Sequence, residues 1–284
     1  MRDDFCVFIS SYNRAGDIPT IKTLKNAGYT GDWKIVIDSP EDKEPYYNEY
    51  GEDKVYYFSK DEVADEIDRA DNFNRKDGIL YFRYNSYNIA EELGYKYFIQ
   101  LDDDYTCFVY RFDQNLNYSR ANIPLRDLDD FLEKAVEFLE KSGIDTVALA
   151  QGGDFIGGLR NKFTDKVRTK RKAMNSFICS IERPIKFKGS INEDVNVYTR
   201  DQQIGKILLT INHASIKQEQ TQQREGGMTD LYLKAGTYVK SFYSILYSPS
   251  CVKLCKMGNR YKRIHHKILW NNAVPKILPE KYKK

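Results

Sequence analysis

A chain of 284 residues, 41% hydrophobic and 14% aromatic with 22 tyrosines, holds too many core-forming side chains to be a disordered tail or linker, and its length fits one large domain or one domain with a smaller appendage. Five scattered cysteines (Cys6, Cys107, Cys179, Cys251, Cys255) lack paired metal-ligand spacing, no apolar stretch is long enough to span a membrane, and no signal peptide is visible; these features point to a soluble, reduced, cytoplasmic protein. The net charge of +3 hides segregation, because residues 160–172 carry seven basic side chains against one acidic and residues 253–284 carry ten against one, together +15 against −12 elsewhere; the basic segments suggest an anionic partner, nucleic acid first, with a solvated basic face as the alternative.

In chain order, the continuous apolar run Phe5 to Ser10 predicts a strand buried on both faces, as in parallel sheets. The polar loop Ser10-Ser11-Tyr12-Asn13-Arg14-Ala15-Gly16 follows. A helix is expected from Pro19 to Ala27, with Pro19 in its first turn and Gly28 as its stop. Trp33 to Asp38 reads as a second strand ending in a carboxylate, which completes a βαβ unit. Lys54 to Phe58 reads as a short third strand, Ser59 to Ala70 as an acidic helix, and Ile79 to Glu92 as a helix carrying Arg83 and Asn85 and closed by Gly94. Tyr95 to Leu101 then supplies a central strand. This alternation places the named loops at the carboxyl ends of strands, where open α/β sheets bind ligands, although ordinary turn chemistry also accounts for Ser10 to Gly16 and Asp38.

The central strand runs into Asp102-Asp103-Asp104. Alternate residues of an extended segment point the same way, so Asp102 and Asp104 can hold a hard divalent cation that leaves positions open for phosphate oxygens; a solvated acidic turn is the competing reading. Beyond it, Leu128 to Ser142 has apolar residues at helical spacing and Gly143 as its stop. Thr146 to Ala150 reads as a strand leading into Gln151-Gly152-Gly153-Asp154-Phe155-Ile156-Gly157-Gly158, where Gly152 and Gly153 permit close backbone approach by a ligand. This loop fits neither the phosphate-loop nor the dinucleotide fingerprint. The basic segment from Arg160 through Lys162, Arg168, Lys170, Arg171 and Lys172 reads as a loop or hairpin. Glu193 or Asp194, in Asn192-Glu193-Asp194, is a candidate general base, or else part of a helix cap before Val195. Thr221 to Thr229 reads as a polar loop and Gly236 to Leu246 as strand. His265 and His266, two of only three histidines, are a candidate third metal ligand or phosphate contact, or a surface pair.

The chain resembles GT-A glycosyltransferases: Ile9 to Arg14 matches their first nucleotide loop, Asp38 the second-strand acid, and Asp102-Asp103-Asp104 the metal-binding motif. More narrowly it is similar to the TET-associated glycosyltransferases of tailed phages, through Ser-Tyr-Asn-Arg-Ala-Gly (11–16), Asp-Asn-Phe (71–73), Leu-Gly-Tyr-Lys-Tyr-Phe (93–98), Leu-Asp-Asp-Asp-Tyr (101–105), Gly-Gly-Asp-Phe-Ile-Gly-Gly (152–158), Ile-Asn-Glu-Asp-Val-Asn (191–196) and Tyr-Val-Lys-Ser-Phe-Tyr-Ser (238–244). The resemblance implies an α/β, GT-A-like nucleotide-diphospho-sugar transferase fold, with a mixed, mostly parallel sheet flanked by helices. It also implies a single domain over 1–284, with a nucleotide-sugar half (1–105) and an acceptor half (106–284).

The implied activity is transfer of a sugar from a UDP-sugar to the hydroxymethyl group of a 5-hydroxymethylpyrimidine, 5-hydroxymethylcytosine first, in phage DNA within the host cytoplasm. Ser10, Ser11, Tyr12, Asn13, Arg14, Asp38, Arg83, Asn85, Asp102, Asp103, Gly152 and Gly153 would serve the nucleotide sugar. Asp102 and Asp104, with His265 or His266, would hold Mn²⁺ or Mg²⁺. Asp194, with Glu193 as the alternative, would be the base of an inverting displacement, while Arg160, Lys162, Arg168, Lys170, Arg171, Lys172, Arg263 and Lys267 would meet DNA. One departure stands out: where Ala-Arg-Asn is expected in the donor-side helix, this chain has Phe82-Arg83-Tyr84-Asn85. No membrane and no obligate protein partner is implied. Two other readings are a GT-A transferase acting on glycan or protein, and a non-catalytic metal- and nucleic-acid-binding module.

Overall fold

The computed structural model describes residues 1–71, 76, 78–115, 117–155, 170–219, 238–257, 263–274 and 280. The predicted βαβ unit is present as β1 (Phe5–Ser10), α1 (Pro19–Asn26) and β2 (Asp32–Ile37). Phe5 to Ile9 are wholly buried, and alternate side chains enter different cores. Phe5, Val7 and Ile9 join one core, whereas Cys6 and Phe8 join the other. A strand can do this only with helices on both of its faces, and each fully buried aliphatic or aromatic side chain contributes roughly 1.5–3 kcal/mol. Gly28 ends α1 at φ +80°, and a Cβ there would collide with the Arg126 carbonyl.

Further along lie α2 (Lys43–Tyr50), β3 (Val55–Tyr57), α3 (Lys60–Ala64), α4 (Leu80–Glu92) and β4 (Tyr97–Asp102). Next come β5 (Tyr105–Phe112), β6 (Tyr118–Pro124), α5 (Leu128–Ser142), β7 (Thr146–Gln151), β8 (Phe177–Ser180), α6 (Glu193–Gln203) and β9 (Leu208–Gln218). The last elements are α7 (Val239–Tyr247), β10 (Val252–Met257), β11 (Arg263–Ile268) and α8 (Trp270–Ala273).

One sheet has the order β3-β2-β1-β4-β8-β7-β9-β5-β6, and β10 pairs with β11 separately. Only β8 and β5 run against the other strands of the large sheet, so it is mixed but mostly parallel, as expected. Helices α1 and α5 cover one face, with Leu24, Leu128, Leu132 and Leu139 in the first core. Helices α4 and α6 cover the other, with Phe82, Ile89, Val195 and Tyr198 in the second. Strand β4 passes into β5 through Asp103 and Asp104 alone, although β8, β7 and β9 separate the two in pairing order. The acidic turn therefore lies where the sheet divides, the kind of position at which α/β sheets bind ligands.

Two expected elements differ. The acidic helix expected over 59–70 is only Lys60–Ala64, capped by Ser59, whose Oγ accepts from Asp61 N at 3.3 Å. Asp65, Glu66 and Asp68 would have placed negative charge at its C-terminal end, against the helix dipole. The strand expected over 236–246 is a helix from Val239 to Tyr247; residues 236 and 237, like the polar loop expected over 221–229, lie outside the described residues. Its buried side chains Ser241 and Ser244, with Ser248 just beyond, recur at helical spacing beside the buried Tyr243, and so do the exposed Tyr238, Phe242 and Leu246. Packing of the small serine face onto the body overrides the strand preference of Val, Tyr and Phe.

Candidate active site

Register brings the first loop to the acidic turn: in the parallel pairing of β1 with β4, Ser10 stands opposite Asp102. Beyond these residues the two chain segments are bonded together. Ser11 Oγ donates to Asp103 Oδ2 at 2.8 Å and Arg14 Nη1 to Asp103 Oδ1 at 2.6 Å. Both oxygens of the buried Asp103 are thus engaged, so its carboxylate is a brace between the loop and the turn. Thr20 of α1 holds the turn from the other side, with its hydroxyl donating to Asp102 O at 2.7 Å and its amide to Asp103 O at 3.2 Å.

Helix α2, which the sequence reading missed, fixes the shape of the first loop. Tyr46 Oη accepts from Arg14 N at 2.9 Å and shares a 2.7 Å hydrogen bond with Ser11 Oγ. Asp42 Oδ2 accepts from Asn13 N at 3.0 Å, and Tyr50 Oη from Gly16 N at 3.0 Å. Asn13 takes φ 52° and Gly16 φ 82°, so the chain curls through two left-handed positions whose amides have ready acceptors. Tyr12 is left projecting, 51% exposed. Asp38 pairs with Lys60 at 3.0 Å, and burial raises its carboxyl above the usual range against the pull of that lysine.

Asp102 and Asp104 flank the brace. The Asp102 side chain is a fifth exposed; its Oδ1 accepts from Arg83 Nη2 at 3.2 Å, and Tyr105 Oη lies 3.5 Å from its Oδ2. Burial pushes its pKa up to about 7 against the pull of Arg83, with Asp104 and Asp103 adding to the rise. Asp104 Oδ2 meets Gln218 Nε2, from the end of β9, at 3.5 Å, whereas its Oδ1 is buried with no hydrogen-bond partner among the described residues. Burial and Asp103 raise the Asp104 carboxyl as well. An unsatisfied, desolvated carboxylate oxygen beside a second carboxylate is costly without a cation, and the pair fits a divalent ion. Among the described residues no group of three or more His, Cys, Asp or Glu side chains forms a closed metal cage. A two-carboxylate site is typical of an ion that also binds substrate phosphates.

Arg83 links this side to the acidic pair of α6. Its side chain is 1% exposed and lies over the rings of Phe177 and Phe187. Nε donates to Glu193 Oε1 at 3.1 Å and Nη1 to Gln100 Oε1 at 3.4 Å, while Nη2 reaches both Asp102 and Asn175 Oδ1, the latter at 3.4 Å. In this structure the guanidinium is therefore an internal counter-ion rather than a group presented to ligand. Glu193 is pushed up to about 7 by burial and by Asp194, partly offset by Arg83. Asp194, raised chiefly by burial, accepts from Val195 N at 2.7 Å. Asn192 is the N-cap, at φ 58°, of this helix, and Glu193 and Asp194 lie in its first turn, with Glu193 facing Arg83. Asn85 is buried and accepts from Asn88 at 3.0 Å, away from the Arg83 network.

The remaining expected residues are dispersed. Gly152 and Gly153 begin a short turn whose Asp154, buried, accepts from Gln151 N at 2.8 Å and pairs with Arg171 and with Lys172, the latter at 3.7 Å. Two of the basic side chains expected to face an acceptor are thus drawn onto an internal carboxylate. Lys170 reaches Asn271 at 2.6 Å, and Lys267 is exposed on β11. Arg160, Lys162, Arg168 and the Arg263 side chain lie outside the described residues. His266 Nδ1 is 3.5 Å from Asn192 Nδ2; burial, then His265 and Lys240, lower His266 to about 4, so it is neutral at pH 7. Sequence reasoning also missed Gln100, a polar residue in an otherwise apolar strand, and Tyr46 with Tyr50, four residues apart and hence on one helix face; those were the available signals.

The sequence matches the TET-associated glycosyltransferase family over residues 5–227. That match spans most of the chain, which is a glycosyltransferase. It belongs to the TET-associated glycosyltransferase family. None of the curated proteins compared matches it. Similar solved structures include glucosyl-3-phosphoglycerate synthase from Mycobacterium tuberculosis in complex with Mg²⁺ and uridine diphosphate, at 12% identity over 93% of this chain and 87% of that one, TM-score 0.47. The mannosyltransferase PcManGT from Pyrobaculum calidifontis in complex with GDP-Man and Mn²⁺ is another, at 14% identity over 87% and 65%, TM-score 0.48.

Proposed function

We propose that this glycosyltransferase moves a sugar from a UDP-sugar to the hydroxymethyl group of a 5-hydroxymethylpyrimidine in DNA, 5-hydroxymethylcytosine first. The donor-side reading is carried by one observation: Asp104 Oδ1, buried and unbonded among the described residues, sits two residues from the partly exposed Asp102 and beside the braced loop Ser11 to Arg14. Asp102 and Asp104 would hold the cation, Mn²⁺ or Mg²⁺, and when bound it supplies neutralisation of a diphosphate leaving group. Tyr12 offers an exposed ring on which a base can stack, and the loop's internal bonds hold its shape before donor arrives. Arg83 bridges Asp102 to Glu193, the neighbour of Asp194. Asp194 would take the proton of the acceptor hydroxyl, a task suited to a carboxylate whose pKa lies above the ordinary range.

Family membership and the segregation of positive charge support the DNA acceptor. The test is a transfer assay with DNA containing 5-hydroxymethylcytosine, a panel of UDP-sugars and Mn²⁺, with nucleosides weighed by mass spectrometry after digestion. A chelator-sensitive hexose or pentose mass gain is expected. No gain with any donor, alongside donor turnover on a glycan or protein, would move the activity to that acceptor.

A further inference from the structure

The segment after residue 227 lies outside the family match. Its hairpin, β10 with β11, takes no part in the large sheet. The hairpin is rooted on the body: Leu269 N donates to Cys251 O at 2.7 Å, and Trp270 stacks on Tyr198 of α6 at 5.6 Å. Both of its strands lie against helix α7, and its outer positions are open to solvent. Val252 at its base is 2% exposed, but Leu254, Met257 and Ile264 further out are 45%, 40% and 44% exposed.

Antiparallel register sets Lys253 directly opposite Lys267, both exposed. Directly opposed side chains share a face, and like charges so placed repel. Neither lysine has an ion pair among the described residues, and residues 248–279 include seven Lys and Arg and not one Asp or Glu. A ribbon that carries a self-repelling, exposed cationic rung is complementary to a polyanion. Six residues per strand at roughly 3.4 Å each make a ribbon about 20 Å long, long enough to lie along several phosphates of a duplex backbone.

We propose that the β10–β11 hairpin grips duplex DNA through its phosphates, with the Lys253–Lys267 rung as the contact; this rests on the DNA-acceptor reading. The hairpin holds the duplex while the strand-end site of the large sheet acts on the base. Because the contact is to phosphate, it is independent of sequence.

The experiment compares the full-length protein with K253S/K267S and with the charge-keeping K253R/K267R. Binding of a fluorescein-labelled duplex is followed by anisotropy across a KCl series, and transfer is measured to 5-hydroxymethylcytosine both in DNA and as the free nucleoside. The serine pair is expected to flatten the slope of log affinity against log salt by about 2, near 0.9 per phosphate lost. It should also raise KM for DNA while leaving transfer to the free nucleoside unchanged, and the arginine pair should restore both. If the wild type modifies DNA and the serine pair keeps its slope and KM, the hairpin proposal is overturned and the acceptor reading stands. If the wild type neither binds nor modifies DNA, the acceptor reading fails and the hairpin proposal with it. Binding of the hairpin's lysines to phosphatidylserine vesicles, with no effect of the variants on DNA, would also overturn it.

Discussion

Asp104 shows how one residue separates function from stability. Its buried Oδ1 has no partner among the described residues, and burial and Asp103 outweigh the pull of Arg14 on its charge, so the charge is a burden without a cation. Asp104→Asn is therefore expected to raise the urea midpoint in chelator while cutting Mn²⁺-dependent donor turnover on the order of 100-fold; a variant as active as wild type would remove the metal assignment. The Arg83 network carries a pH signature. Glu193 and Asp102 rise to about 7 in the fold from ordinary values of 4.5 and 3.8. As pH rises above about 4 the unfolded chain sheds these protons first, so it binds fewer protons than the native state and stability falls until about pH 7, then levels. Glu193→Gln should remove roughly half of that decline, read from urea midpoints at pH 5 and 7.5, and an unchanged slope would refute the assignment. The fixed guanidinium between the two acids explains why neither carboxylate can be considered alone.

Among the elements, α2 controls the first loop from outside it. Tyr46→Phe removes the hydrogen bonds to Ser11 and to the Arg14 amide, at about 0.5–1.5 kcal/mol each. The expected result is a higher KM for donor with kcat less affected, measured in initial-rate kinetics. This helix was hidden in the sequence by Pro45, which reads as a breaker, yet Pro45 occupies the first turn, where its missing N–H costs no bond. By contrast β1, α1, α4, α5 and β7 were legible to within a residue or two, because each carries its own signal in an apolar run, a first-turn proline or a closing glycine. Helix α7 was misread because its structure depends on what its serines pack against, which local propensity does not record. In the site, the run of three aspartates and the Glu193–Asp194 pair were visible as chemistry. That Asp103 is a brace, and that Arg83 faces inward, depends on contacts between residues 89 and 110 positions apart, which spacing along one chain cannot supply.

Charge is segregated across the whole molecule, but it is not all available. The basic run ending at Lys172 turns two of its cations onto Asp154, so Arg171→Ser should lower thermal stability more than it lowers DNA affinity, a contrast read by scanning calorimetry beside anisotropy. Equal stability with lost affinity would return Arg171 to the acceptor face. One of the places where the body matched to the family meets the segment beyond it is Asn192. From its left-handed position its amide nitrogen reaches Lys240 O at 2.8 Å, Ser244 Oγ at 3.1 Å and His266 Nδ1 at 3.5 Å, and the next residue is Glu193. A chimera that grafted a different C-terminal piece onto this body would strip the amide of its acceptors one residue from the acid that meets Arg83. The two parts are consequently not interchangeable modules, and any exchange between relatives must carry Asn192 and its three acceptors as a set.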